Sequence, residues 1–198
     1  MFAYGPGEEG DPEPTWTPPE WFGPPEAELG VTVPLSRVVA RSDRSVIALR
    51  SATAYSSGAV FDLVALGRGL SERDANRLFH EQHLTGAEDE PTDAFLRVGF
   101  ELSDGGRISN LGRRPHFETD AEPDGPVLNP VGGGGGSAGT GGFSMNYGYW
   151  LWPLPPPGPL RLFVEWPALD IALTHVELHA EAIREAASRA QALWPEAS

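Results

Sequence analysis

His175, Glu177 and His179 occupy alternate positions near the end of the chain. On a regular strand, alternate side chains leave from one face. Two imidazoles and a carboxylate can hold a divalent transition metal, so these three are the candidate metal ligands. A metal-dependent or small-ligand enzyme would use them. The segment is also the last expected strand and runs into a helix near Ala180, where His179 could instead act as a cap. His80, Glu81 and His83 fall on a short expected helix. His80 and His83 are i, i+3 neighbours, but two surface histidines do not complete a metal site.

Other chemistries lack their parts. The block Val131-Gly132-Gly133-Gly134-Gly135-Gly136-Ser137-Ala138-Gly139-Thr140-Gly141-Gly142 invites a phosphate-loop reading. Such loops place amides at a helix N-terminus and use a lysine to reach the outer phosphates. All 14 cations here are arginine, and the residues that follow read as strand. The block is therefore expected to be a flexible connection between strands. With 0 Cys, thiol catalysis, zinc ribbons and disulfides are excluded. No G-x-S-x-G elbow occurs. Asp120, Glu122 and Asp124 do not form a calcium loop, because Pro123 interrupts the backbone it needs. No catalytic residue and no cofactor is implied.

The aromatic residues are the second source of binding chemistry. Trp16-Thr17-Pro18-Pro19-Glu20 is followed by Trp21-Phe22-Gly23-Pro24-Pro25-Glu26, an imperfect tandem. Trp16, Trp21 and Phe22 either fold back over a face or edge of the chain, or act as a polyproline-type peptide for a groove in another protein. Tyr147 and Tyr149 lie in Tyr147-Gly148-Tyr149-Trp150-Leu151-Trp152, which could make a stacking platform. Alternation puts Tyr147, Tyr149 and Leu151 on one face and Trp150, Trp152 and Leu154 on the other. One set is then expected in the core. Trp16, Trp21, Phe22, Tyr147 and Tyr149 are the candidate partner-binding residues.

The run Tyr149-Trp150-Leu151-Trp152-Pro153-Leu154-Pro155-Pro156-Pro157-Gly158-Pro159-Leu160, continuing through Leu162-Phe163-Val164-Glu165-Trp166-Pro167, resembles an uncharacterised protein family of high-GC bacteria. The likeness extends over most of the chain. That family has no assigned activity, so the resemblance implies neither a function nor a site.

The elements that must position these residues follow from charge and periodicity. The net charge of -14 is divided unevenly. Residues 1–30 carry seven acids and no cation, 31–115 carry eleven of each sign, and 116–198 carry three cations and ten acids. Seven prolines in the first 25 residues make residues 1–30 an acidic arm, expected to be extended or disordered. Residues 31–198 read as one domain. Strands are expected at Val31 to Arg41, Ser45 to Tyr55, Ala59 to Leu66, Phe95 to Asp104, Arg107 to Leu111, Val127 to Val131, Phe143 to Trp152, Pro159 to Trp166 and Ile171 to Leu178. Ile47, Leu49, Ser51, Thr53 and Tyr55 are expected on one side of the second. A short helix opens at Ser71 with a capping signal. A C-terminal helix over 180–194 carries a narrow stripe including Ile183, Ala186 and Leu193.

Short antiparallel strands and two helices indicate a mainly β fold, an antiparallel β-sandwich, with a closed barrel as the alternative. A sequence pI of 4.6 argues against nucleic acid. No apolar run reaches the length of a membrane span, and no export signal is evident, which places the protein in the cytoplasm by default. The expected function is a non-catalytic protein-interaction domain using the arm, the glycine block or the Tyr147 to Trp152 segment. The alternatives are an enzyme built on His175, Glu177 and His179, and a subunit that self-associates through its C-terminal helix.

Overall fold

The computed structural model describes residues 18–82, 91–112, 121–132, 136–139 and 141–194. The strands are β1 (Glu28–Leu29), β2 (Val31–Arg41), β3 (Ser45–Ala54), β4 (Ala59–Arg68), β5 (Arg97–Glu101), β6 (Arg107–Ser109), β7 (Val127–Val131), β8 (Gly136–Gly139), β9 (Gly142–Trp152), β10 (Pro159–Trp166), β11 (Ile171–His179) and β12 (Gln191–Ala192). Two helices, α1 (Glu72–Glu81) and α2 (Ala180–Ala187), complete the order. The larger sheet runs β2-β3-β4-β9-β7, with β8 also on β9; the smaller runs β11-β10-β5-β6, and β1 and β12 form a separate two-stranded pair. Every pairing is antiparallel. The fold is a β-sandwich and not a closed barrel.

Period-two alternation supplies the core between the sheets. Leu160, Leu162, Val164 and Trp166 on β10 and Leu96, Val98, Phe100 and Leu102 around β5 are all buried, as their spacing predicts. They meet Phe61, Leu63, Met145 and Leu151 of the other sheet in one cluster. Phe61 and Phe100 lie 4.6 Å apart between ring centroids. The sheets converge at their margins, where β11 runs beside β2 and β6 beside β7.

Each helix closes one end of β10. Ser71 caps α1, its hydroxyl accepting from the Asp74 N–H, and Ala75 and Leu78 face inward. The side chain of Gln82 then bridges to Ala94 and Leu96, next to the Trp166 end. α2 starts at the Pro159 end, with the Ala180 N–H donating to Gly158, and packs on β2 and β3.

Three sequence expectations are corrected. A bulge at Arg50 shifts register between Leu49 and Ser51. Ala52 and Ala54 therefore follow Ile47 and Leu49 inward, while Ser51 and Thr53 turn out. The C-terminal helix ends at Ala187 and not at Trp194. Beyond it, residues 191–192 pair with Glu28–Leu29 and the Leu193 N–H donates to Ala27, so backbone pairing with the chain's own arm replaces helical bonds. Of the expected stripe, Ile183, Ala186 and Ala187 are buried against the chain itself, while Leu193 and Trp194 lie beyond the helix and are exposed. The glycine block is more than a connection, because Gly136–Gly139 forms β8.

Candidate functional site

β4 and β9 lie side by side in the larger sheet, and their outward residues make the middle of its outer face. At one end of that face Trp150 is fully covered. Gly58 leaves room for it, since a Cβ there would come within 2.5 Å of the indole. The Tyr55 ring meets it edge-on at 5.8 Å. The rest of the cover is the turn at residues 20–23. The Trp150 indole N–H donates to the Glu20 carbonyl oxygen at 2.9 Å. The Asn129 amide donates to the carbonyl oxygens of Trp21 and Phe22, both at 3.1 Å. Trp21 is 4% exposed and Phe22 half-buried, packed edge-on to it. Trp16 lies outside the described residues, whereas residues 18–30 are part of the folded body.

Next to this cover the outer face dips into an open depression of about 280 Å³. Pro24, Val60, Val131 and Gly148 line it together with Asp62, Gly132, Asn146 and Tyr147. The edge beside β9 is interrupted here. β7 pairs with residues 148–152 and β8 with 142–145, so residues 146–147 fall between the two pairings. Gly132 starts the departure with a φ of 75°, a left-handed conformation that glycine adopts without a Cβ penalty. Gly148 is required for close approach, since a Cβ would collide with the carbonyl oxygen of Val131. Asp62, directly opposite Gly148 in register, accepts from the Ser51 hydroxyl at 3.1 Å. Glu28 lies nearby, accepting from the backbone N–H and hydroxyl of Ser56. Tyr55 registers both acids: burial first, then Glu28 and Asp62, raise its phenol above the ordinary value.

The tyrosine pair does not form a surface platform. Tyr147 and Tyr149 stack at 6.4 Å and project toward the inner side. Tyr149 is 4% exposed, with its hydroxyl accepting from Asn110. The Tyr147 hydroxyl donates to the Met145 sulfur. Burial raises both phenols, and for Tyr147 the neighbouring Tyr149 adds to it.

His175, Glu177 and His179 leave the outer side of β11, and cross-strand neighbours separate their roles. His175 packs on Phe163 at 5.1 Å. Glu177 accepts from Arg161 at 3.3 Å. His179 is at the N-cap position of α2 without a side-chain capping bond. Among the described residues no group of three or more His, Asp or Glu is placed to hold a metal. Instead Glu177 belongs to a charge ladder across the smaller sheet: Arg161 also reaches Glu101 at 2.6 Å, and Glu101 pairs with Arg107 at 2.7 Å. His80 is exposed on α1, and His83 lies outside the described residues.

No family model matches the chain, and no curated protein matches it. Nor does any helix among the described residues have the length and apolar character to cross a membrane.

Sequence reasoning missed Asp62 and Asn129. Asp62 interrupts the run Val60 to Leu66 with a single acid at an outward position, a signal available in the alternation. Asn129 sits in a short apolar strand and is 2% exposed; only its distant partners at Trp21 and Phe22 explain it.

Proposed function

We propose that this protein is a non-catalytic β-sandwich that binds another protein on the outer face of its larger sheet. One observation carries the reading. The arm, the glycine block and the Tyr147 to Trp152 segment, far apart in sequence, each bring a residue to one depression: Pro24, Gly132 and Gly148. Beside it the face continues through Val60 and Val64, both half-buried, to Leu66, which is 43% exposed. A partly apolar surface around a recess suits a protein partner, whose anchor side chains fill pockets while flatter contacts exclude water.

The test is affinity capture from the native host with three proteins: the parent, Leu66→Glu on the proposed face, and His175→Glu on the outer side of the smaller sheet. A partner held by the parent and by His175→Glu, but lost from Leu66→Glu, supports the reading. Equal capture by all three, or loss only from His175→Glu, overturns it.

A further inference from the structure

The chemistry of the recess narrows what its partner presents. Asp62 is a carboxylate in the middle of a sheet, half-buried, and among the described residues its one hydrogen bond is from the Ser51 hydroxyl at 3.1 Å. The ion pairs among the described residues place arginines against Asp93, Glu101, Glu165, Asp170 and Glu177, and none against Asp62. Among the described residues the acid is therefore left with acceptor capacity and no arginine partner. Glu28, held by the Ser56 backbone N–H and hydroxyl, adds a second negative charge near Tyr55. Pro24, Val60 and Val131 give the walls an apolar character. Long basic side chains combine the two needs, laying a methylene stem on apolar surface while the charged head reaches an acceptor.

We infer that the recess over Gly148 receives one basic side chain, arginine or lysine, from an extended segment of the partner protein. The inference rests on the reading of this face as a protein-binding surface. The net charge of -14 acts in the same direction, since a strongly acidic protein draws cationic partners and repels acidic ones. The fixed elements supply the selectivity. Gly148 keeps the sheet side free of a side chain, Asp62 supplies the charge, and Pro24 follows the turn that Asn129 anchors through Trp21 and Phe22.

The probe is a capped peptide with one arginine between two valines, with its lysine and citrulline counterparts, titrated into the full chain at low salt. The readout is the amide chemical shifts of Gly132, Asn146 and Gly148. Saturable shifts with the arginine or lysine peptide are expected. They should be absent with citrulline and weakened about tenfold or more, equivalent to about 1.4 kcal/mol, in Asp62→Asn. That substitution preserves shape and can still accept from Ser51, so the fold is retained. Shifts that are absent, equal with citrulline, or unchanged in Asp62→Asn overturn the assignment. Partner capture by Asp62→Asn separates the two readings: full capture by this variant with loss from Leu66→Glu removes the basic-side-chain assignment and leaves the binding face standing.

Discussion

The indole N–H of Trp150 donates to the carbonyl oxygen of Glu20, a residue 130 positions earlier, at 2.9 Å. This bond, with the two from Asn129, makes the turn at residues 20–23 a structural part of the sheet that it covers. Trp21→Ala should therefore act as a core substitution. It removes a ring that is 4% exposed and uncovers Trp150, so the expected loss is about 3 to 5 kcal/mol, or roughly 10 °C in Tm for a domain of this size. Urea and thermal unfolding measure it. A loss below about 1 kcal/mol, the scale of a surface change, would falsify the covering role.

The two buried tyrosines give a directional expectation for alkaline pH. Burial raises Tyr147 and Tyr149 above the ordinary phenol value, so the folded state holds their protons more tightly than the unfolded chain. Their contribution is fully present below the unfolded value near about 10 and is lost as pH rises through the folded values. Tm should fall above about pH 10, and fall less steeply in Tyr147→Phe. Absorbance of ionised tyrosine should track unfolding for these two. A parallel fall in Tm for parent and variant would remove Tyr147 as a source.

The strands were legible because their signal is local. Leu160, Leu162, Val164 and Trp166 alternate in sequence and are all buried in the structure. Leu96, Val98, Phe100 and Leu102 behave alike. Parity failed at Arg50, where one extra residue reverses the faces and nothing in residue type announces it. The C-terminal segment kept helical spacing through Leu193, yet its backbone bonds from Gln191 onward go to the arm, a competition between distant segments. The recess was hidden for the same reason. Pro24, Asp62, Gly132 and Gly148 become neighbours only through the order of β4, β9 and β7 and the turn at residues 20–23.

On the other sheet, Glu101 gives the opposite sign of pH dependence. Hydrogen bonds from Arg161 and then Arg107 hold its carboxyl below the ordinary value. A lowered carboxyl stabilises the fold above the unfolded value, and that contribution is lost as pH falls through the folded one. Both arginine partners reach solvent, Arg107 most of all, so screening keeps the effect small. Glu101→Gln should be slightly less stable near neutral pH and lose less Tm than the parent on acidification below about pH 4. Moderate salt should narrow the neutral difference between them. An unchanged acid slope in Glu101→Gln would show that the ladder contributes nothing to acid sensitivity.

Gln82 joins α1 to the smaller sheet through a single side chain. Its amide donates to Leu78 at 3.0 Å and Ala94 at 2.7 Å, and its carbonyl oxygen accepts from the Leu96 N–H at 3.1 Å. Ala94 also accepts from the Trp166 indole at 2.8 Å, so its oxygen keeps one partner without Gln82. Leu96 is fully buried and precedes β5; its N–H has no such second partner. Gln82→Leu, similar in size, leaves that donor unsatisfied at a cost of about 1 to 3 kcal/mol. Hydrogen exchange at Leu96 should accelerate selectively relative to Val98, whose N–H is held by Asn110 at 2.8 Å. Gln82→Glu restores an acceptor for Leu96 but removes the donor to Ala94, and should recover protection at Leu96 without recovering full stability. If Leu96 exchanges at the parent rate in Gln82→Leu, the bridge does not hold this edge and α1 is retained by the packing of Ala75, Leu78 and Phe79.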